Sequence, residues 1–88
     1  MSRFSVCPDV MCREVGGEGV VLDMGSGHYF GLNAVGMRMW SLLLEHGDGE
    51  PTVALLGAEF AAPAERLRSD LNTFAQRLLD MRMIRRND

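Results

Sequence analysis

Few residues of this chain have the chemistry of a catalytic or metal-binding side chain. The only histidines are His28 and His46, and neither belongs to a recognisable motif with a cysteine, serine or carboxylate. Cys7 and Cys12 form neither a zinc-site spacing nor a disulfide framework. Gly25-Ser26-Gly27 resembles a phosphate-binding loop only superficially, because no lysine follows it and the chain contains none. We therefore predict that the protein is not an enzyme and binds no metal or cofactor.

Length and composition narrow the class of protein. A chain of 88 residues makes one domain, and 47% apolar with 24% charged residues is ordinary for a soluble globular protein. The net charge of -3 weighs against a nucleic-acid partner, although Arg82, Arg85 and Arg86 gather near the C-terminus. No apolar run approaches the roughly 18 residues of a membrane span, and residues 1–8 lack the apolar segment of a signal peptide. We expect a cytoplasmic protein without a membrane or nucleic-acid partner.

Three short segments have the alternating pattern of β-strands and predict an antiparallel meander. The first, residues 10–15, is the weakest, and the second carries Val20, Leu22 and Met24 in alternation. The third spans residues 28–32. Glycine-rich turns separate the segments, so we expect them to pair in the order in which they occur. The third strand then lies at an edge of the sheet.

The turn between the second and third strands decides which side chains share a face. We predict a three-residue loop with Gly27 in the left-handed conformation, which glycine adopts without steric cost. This loop predicts two cross-strand pairs on the buried face and one on the other: Leu22–Phe30, Val20–Leu32 and Asp23–Tyr29. A two-residue loop would move every partner by one and divide the apolar side chains between the faces. The first register is therefore preferred.

Helical signals follow the sheet. Asn33 can cap a helix that runs to Glu45 or His46, and Thr52 can cap a shorter one over residues 53–60. Pro63 suits the first turn of a third helix, which is expected to end near residue 81. Its apolar face has helical spacing and consists of Leu67, Leu71, Phe74, Leu78 and Met81. A polar stripe on one flank consists of Arg66, Asp70, Thr73 and Arg77.

These elements predict an α+β fold that is winged-helix-like, with a three-stranded antiparallel sheet followed by three helices. The domain is expected to cover residues 10–84. Residues 1–9 form an N-terminal tail in this interpretation, and residues 83–84 fold back as a short extended segment. Residues 85–88 form a C-terminal tail that frays.

The third strand is the most suggestive functional feature. Exposed strand edges are normally protected by charge or proline, yet residues 28–32 contain no lysine, acid or proline. Gly31 has no side chain, so another backbone could approach closely there. A strand edge beside an amphipathic helix makes a groove for an extended peptide. We therefore expect the edge to be used for binding.

A DNA-binding winged helix is the alternative. Its third helix would enter DNA, but Glu65 and Asp70 lie among Arg66, Arg68 and Arg77 on that helix. The start of the helix also lacks the polar residues that read bases. Peptide binding is the preferred interpretation.

The segment Val21–Trp40 resembles the pattern of small proteins related to the pyrroloquinoline quinone synthesis D protein. Within that family it is most similar to the stand-alone leader-peptide-recognition proteins of lasso-peptide biosynthesis. The shared features are an apolar strand ending in Asp23, a glycine-containing turn, the aromatic pair Tyr29-Phe30, and then Gly31-Leu32-Asn33, Gly36 and Trp40. The later helices agree in order and length, so the resemblance covers about residues 10–84. Residues 82–84 depart from the family, which often has a glycine-containing turn after the last helix.

The resemblance implies a ribosomal-peptide recognition element, a peptide chaperone that binds the leader segment of a precursor peptide. The leader would add as a strand to the third strand and lie against the third helix. A separate cysteine-protease-like leader peptidase and an asparagine-synthetase-like cyclase would then act on the precursor. Carried onto this sequence, the leader-binding residues would be His28, Tyr29, Phe30, Gly31, Leu32, Leu67, Asp70, Leu71, Phe74 and Arg77.

Several alternatives stay open at this point. The flank of the third helix that faces the strand is taken to be 66/70/73/77, with 68/75/79 as the rival. Leu71 and Phe74 fit a core role as well as a pocket role. A pyrroloquinoline quinone pathway chaperone of the same fold would differ only in precursor and partner enzyme. If the N–H of Phe30 pairs with the leader, proline there should abolish binding more than alanine does.

Overall fold

The computed structural model describes residues 3–87, which form two antiparallel sheets and three helices. In chain order the elements are β1 Phe4–Val6, β2 Val10–Val15, β3 Glu18–Asp23, β4 Tyr29–Leu32, α1 Ala34–His46, α2 Glu50–Glu59, α3 Ala64–Asp80 and β5 Ile84–Arg86. The larger sheet has the order β2-β3-β4, and β1 pairs with β5 in the smaller one. The predicted α+β fold with a three-stranded sheet and three helices is confirmed. The likeness to a winged helix is loose, because the second sheet joins the two ends of the chain.

The hairpin of β3 and β4 has a register one residue away from the predicted one. Val21 lies opposite Phe30, and Leu22 lies opposite Tyr29. The loop covers residues 24–27, and the N–H of Gly27 donates to the C=O of Asp23 over 2.8 Å. Gly27 has a φ of 79°, so its predicted left-handed conformation is confirmed even though the loop is longer than expected.

The Asp23 side chain explains why the longer loop is stable. Its carboxylate accepts hydrogen bonds from the N–H of Gly25 at 3.0 Å and from the hydroxyl of Ser26 at 2.9 Å. The hydroxyl of Ser26, followed by the N–H of Gly25, lowers the pKa of the Asp23 carboxyl. Asx-type bonds of this kind replace the backbone bonds that a tighter turn would make. The loop therefore needs one more residue than a G1-bulge hairpin.

The shift in register changes which face of β3 is buried. Val21 is fully buried, and the neighbouring Leu32 of β4 is also in the core. Val20 and Leu22 instead lie on the outer face, in line with Tyr29, which is 71% exposed. The predicted pairs Leu22–Phe30, Val20–Leu32 and Asp23–Tyr29 are therefore wrong. An apolar outer face made the alternation of Val20 and Leu22 look like a core pattern.

Gly19 of the larger sheet lies close against α1. A Cβ atom at this position would lie 2.5 Å from the sulfur of Met37 and 3.0 Å from the backbone oxygen of Arg13. The distance to the sulfur is shorter than real Cβ contacts, and the distance to the backbone oxygen is tighter than most of them. The missing side chain therefore lets α1 pack directly on β3.

We expect Gly19→Ala to lower the free energy of unfolding by about 1–3 kcal/mol, the usual cost of overpacking. The flexible Met37 can move aside, but the oxygen of Arg13 belongs to the ladder between β2 and β3. Urea denaturation would measure the change, with Gly31→Ala as the matched control because nothing lies within 4 Å of a Cβ there. Equal stability of the two variants would contradict the inferred contact.

Helix α1 begins and ends as the sequence predicts. The side chain of Asn33 accepts a hydrogen bond from the N–H of Gly36 at 2.8 Å, and Gly47 ends the helix with a φ of 86°. Trp40 is buried in the core. Because Asn33 directly follows the end of β4, the first turn of α1 lies beside the end of that strand.

Helix α2 begins earlier than predicted, and Thr52 is not its N-cap. Gly49 is the N-cap residue, and Pro51 lies in the first turn. Thr52 is fully buried, and its hydroxyl donates to the C=O of Gly47 over 2.6 Å. This hydroxyl therefore bonds the preceding turn instead of the start of the helix, a role that its residue type alone does not distinguish.

Helix α3 follows the predicted apolar pattern. Its N-cap is Pro63, and its C-cap is Met81. The buried side chains are Leu67, Leu71, Phe74, Ala75 and Leu78. The helix ends with bonds from the N–H of Met83 to Leu78 and from the N–H of Arg82 to Leu79. Arg82 has a φ of 59° in this Schellman turn, where glycine is the usual residue.

A clasp between β1 and β5 joins the two ends of the chain. Phe4 pairs with Arg86, and Phe4 and Ile84 are both buried. Residues 85 and 86 are therefore strand residues, and the prediction that they fray is wrong. The pairing of β1 with β5 could not be predicted from the sequence, because each strand is only three residues long. The predictions for residues 1–2 and 88 fall outside the described residues.

Candidate functional site

A cleft of about 420 Å³ runs between the outer strand β4 and helix α3. It is lined by Phe30, Gly31, Leu32, Asn33, Val35, Gly36, Met39, Asp70, Thr73, Phe74 and Arg77. The strand, the first turns of α1 and the middle of α3 thus supply its walls. The structure brings six of the residues named from the sequence to this cleft: Phe30, Gly31, Leu32, Asp70, Phe74 and Arg77.

Within residues 3–87, β4 pairs with β3 on one side and has no strand on the other. The N–H of Asp23 donates to the C=O of His28 over 2.9 Å, which fixes the phase of the ladder. Bonded and non-bonded pairs alternate along antiparallel strands, so Phe30 and Leu32 bond to β3. The N–H and C=O groups of Tyr29 and Gly31 therefore point away from the sheet.

This phase corrects the expectation about Phe30. Its N–H belongs to the ladder with β3, so a proline at this position would damage the hairpin and say little about binding. Gly31 is the informative position because its N–H faces outward. A Cβ atom at Gly31 would meet nothing within 4 Å. At Gly31, alanine therefore tests the effect of an added side chain on binding, and proline tests the effect of losing the backbone N–H.

Contacts between aromatic rings hold α3 against β4. The rings of Phe30 and Phe74 meet edge to face, with centroids 6.1 Å apart and planes at 77°. The guanidinium carbon of Arg77 lies 4.9 Å from the centroid of the Phe30 ring, in a cation–π contact. These contacts position both walls of the cleft at its middle.

The start of α1 also lines the cleft, and the sequence did not predict this contribution. Asn33, Val35, Gly36 and Met39 all line it, together with Thr73 of α3. The missed signal was the direct connection between β4 and α1, which leaves the first helical turns close to the strand. A Cβ at Gly36 would lie 3.3 Å from the Asn33 side-chain oxygen, so glycine keeps the cap compact there.

Beyond Phe30 the groove continues towards the start of β4. Tyr29 and Arg77 border an extension of the groove together with Met81, and His28 lies next to it. His28 and Tyr29 are both exposed. Of the predicted strand residues, these two therefore lie at the rim and not in the cleft itself.

Leu67 and Leu71 are core residues and do not line the cleft. Leu67 is 2% exposed and Leu71 is fully buried. Leu67 faces α2, because its Cδ1 atom would be 3.8 Å from a Cβ atom built at Gly57 of that helix. A pocket role for the two leucines would require them to reach the surface of the cleft.

The flank of α3 beside β4 carries Asp70, Thr73 and Arg77. The rival flank is occupied elsewhere. Arg68 donates two hydrogen bonds to Glu50 of α2, at 2.7 and 3.0 Å, and Ala75 is buried. The polar side chains of α3 that line the cleft therefore all belong to the first flank.

Charged pairs outside the cleft tie the helices together. Arg38 of α1 donates two bonds of 2.7 Å to Glu59 of α2, and Arg68 joins α3 to Glu50. The hydrogen bonds from these arginines lower the pKa of the Glu59 and Glu50 carboxyls below their ordinary values. At the edge of the cleft, a carboxylate oxygen of Asp70 lies 3.8 Å from the guanidinium Nε of Arg66, which is one turn earlier on α3.

Residues 3–87 hold no group of three or more histidines, cysteines or acids placed to bind a metal ion. Burial, followed by the charge of Glu14, raises the pKa of the Cys12 thiol, which disfavours a reactive thiolate. No helix in this part of the chain is both long and apolar enough to cross a membrane. What the arrangement provides is outward backbone groups beside a partly apolar cleft.

The sequence and the fold both have known relatives. The sequence model of the family described as coenzyme PQQ synthesis protein D matches residues 18–84. The solved structure of TbiB1 in complex with the TbiA(beta) leader peptide is similar, with 33% identity and a TM-score of 0.76, and the match covers 91% of this chain and 93% of that one.

A second solved structure is that of lasso peptide synthetase B1 complexed with the leader peptide. It has a TM-score of 0.81 over 94% of this chain and 98% of that one. At a sequence identity of 21%, this likeness concerns the fold alone. No curated protein matches the chain.

Proposed function

The chain belongs to the coenzyme PQQ synthesis protein D family, and we propose that it binds the leader segment of a ribosomally made precursor peptide. The observation that carries this proposal is the unpaired edge of β4 beside the cleft against α3. The similarity to TbiB1, whose structure holds a leader peptide, supports it.

We propose that the leader adds to the larger sheet as a fourth strand. The outward N–H and C=O groups of Tyr29 and Gly31 would pair with its backbone. Such pairing supplies affinity with little dependence on sequence, whereas alternate side chains that enter pockets supply selectivity. Every second leader side chain would point towards α3, because side chains alternate along a strand.

The lining of the cleft indicates the kind of side chain that it accepts. Phe30, Phe74 and Met39 present apolar surface to the inward leader residues. Asp70 and Arg77 stand at the polar side of the cleft, where each can bond a polar or charged group of the leader. His28 and Tyr29 would lie at the rim of the bound strand.

The proposed role in maturation is presentation without catalysis. A separate cysteine-protease-like leader peptidase would cleave the bound precursor, and an asparagine-synthetase-like cyclase would act on its core. The similarity to TbiB1 and to the lasso peptide synthetase favours a lasso-peptide pathway over quinone cofactor synthesis. The precursor encoded beside the gene would decide between the two pathways.

We expect the leader of that precursor to bind the intact protein with a Kd on the order of 10 micromolar or tighter. Fluorescence anisotropy of a labelled synthetic leader would measure it. A leader of the same composition in scrambled order is the control, and it should bind at least about tenfold more weakly. Folded protein that captures neither peptide, or that prefers duplex DNA, would contradict the proposed function.

A further inference from the structure

Arg77 stands apart from the other arginines of the helices. Arg38, Arg66 and Arg68 each form an ion pair with a carboxylate. Arg77 forms none within residues 3–87, and its guanidinium group lies over the ring of Phe30 at the wall of the cleft. A cation held in this position has hydrogen-bond donors left for a molecule in the cleft.

We propose that Arg77 selects the bound peptide by its charge: it takes a carboxylate side chain from the peptide residue opposite Phe30. The inference rests on the proposed function, because it requires a strand on the edge of β4. It adds a defined chemical requirement, an aspartate or glutamate with an apolar residue two positions away.

The phase of β4 places the peptide side chains. Residues paired with the outward-facing Tyr29 and Gly31 share their face of the sheet, which is the exposed outer face. Residues opposite Phe30 and Leu32 share the buried face and point into the cleft. This alternation is the same for a parallel and an antiparallel strand, so the inference does not depend on peptide direction.

The inward residue opposite Phe30 meets Arg77. Contact with the aromatic ring favours one position of the guanidinium group, which lowers the side-chain freedom that is lost when a ligand binds. Its planar donors can hold a carboxylate through two charge-assisted hydrogen bonds. An uncharged side chain of the same length would lose the charge-assisted part of this interaction.

The inward residue opposite Leu32 lies two positions further along the peptide and meets different surroundings. Val35 and Met39 of α1 provide apolar surface there. Asp70 lies two helical turns from Arg77, about 10 Å along α3, and is paired with Arg66, so among residues 3–87 that end of the cleft offers an acid no unpaired guanidinium group. The cleft therefore distinguishes its ends, since an acid gains a charged partner beside Arg77 and an apolar residue gains contacts beside Val35 and Met39.

A displayed library of random peptides tests this selection. The intact protein should enrich peptides with aspartate or glutamate two positions from an apolar residue, and Arg77→Glu should enrich lysine or arginine at the same position. Arg13→Glu is the matched control, because it makes the same change in net charge on exposed strand β2. It should keep the acidic preference.

A double-mutant cycle gives the quantitative test. With one selected peptide, Arg77→Gln in the protein and Glu→Gln in the peptide should each weaken binding about tenfold. The two changes together should weaken it hardly more than either alone, because they remove one shared interaction. Thermal unfolding of each variant would confirm that it is folded.

The outcomes separate this inference from the proposed function. Two results would overturn the role of Arg77 alone: peptide capture that depends on the edge of β4 but shows no acidic preference, or effects in the cycle that are fully additive. Wild-type protein that selects no peptides at all overturns the proposed function as well. An acidic preference that reverses with Arg77→Glu supports both.

Discussion

Gly31→Pro is expected to weaken leader binding by at least about tenfold, while Gly31→Ala leaves it nearly unchanged. Proline removes the outward N–H, and the leader carbonyl that would accept from it is left buried without a donor. That loss costs about 1–3 kcal/mol, and the proline ring also obstructs the approach of the second backbone. Alanine keeps the N–H, and its Cβ meets nothing within 4 Å in the unbound protein.

The pair of variants isolates strand addition from other binding modes. Both should fold, because proline is tolerated at an edge position whose N–H faces solvent. Circular dichroism and thermal unfolding would check this before anisotropy titrations with the labelled leader. If the two variants bind the leader equally well, the leader does not pair with β4, and the cleft must be used in another way.

Leu71→Ala is expected to lower the free energy of unfolding by about 2–5 kcal/mol, the usual cost of a large cavity in a core. Leu71 is fully buried among the helices, so truncation removes contacts on every side. The loss is large for a small domain, whose total stability is about 5–15 kcal/mol. Urea denaturation would measure it.

Thr73→Ala is the matched comparison, because Thr73 lies half a turn away on α3 and lines the cleft. It should change stability little and leader affinity more. Leu71→Ala should bind the leader normally at temperatures where it is folded. A folded Leu71→Ala protein with weakened binding would restore the pocket role that the family resemblance implied for Leu71.

The features that local sequence determines were predictable. Asn33 caps α1, and Gly27 is left-handed, because each depends on one residue type and its near neighbours. The amphipathic face of α3 was also readable, since its period follows from helical geometry. Such features identify the elements of the fold, but they do not fix how the elements meet.

The register of β3 and β4 could not be predicted from alternation alone. Val20 and Leu22 are as apolar as Val21, and only the packing of α1 on Gly19 shows which face is covered. The missed residues of the cleft are similar, because Val35 and Met39 look like ordinary core positions of α1. Their place beside Asp70 depends on a contact between distant parts of the chain.

The clasp of β1 and β5 has a consequence for the order of folding. Pairing Phe4 with Arg86 closes almost the whole chain into a loop, at an entropic cost of roughly 4 kcal/mol. The β3–β4 hairpin closes a far shorter loop, and chains tend to form such local contacts first. Because the C=O of Met83 accepts from the N–H of Cys7 over 3.0 Å, the clasp also secures the end of α3. We therefore expect α3, which carries Arg77, to reach its final position late in folding, after β4 has paired with β3.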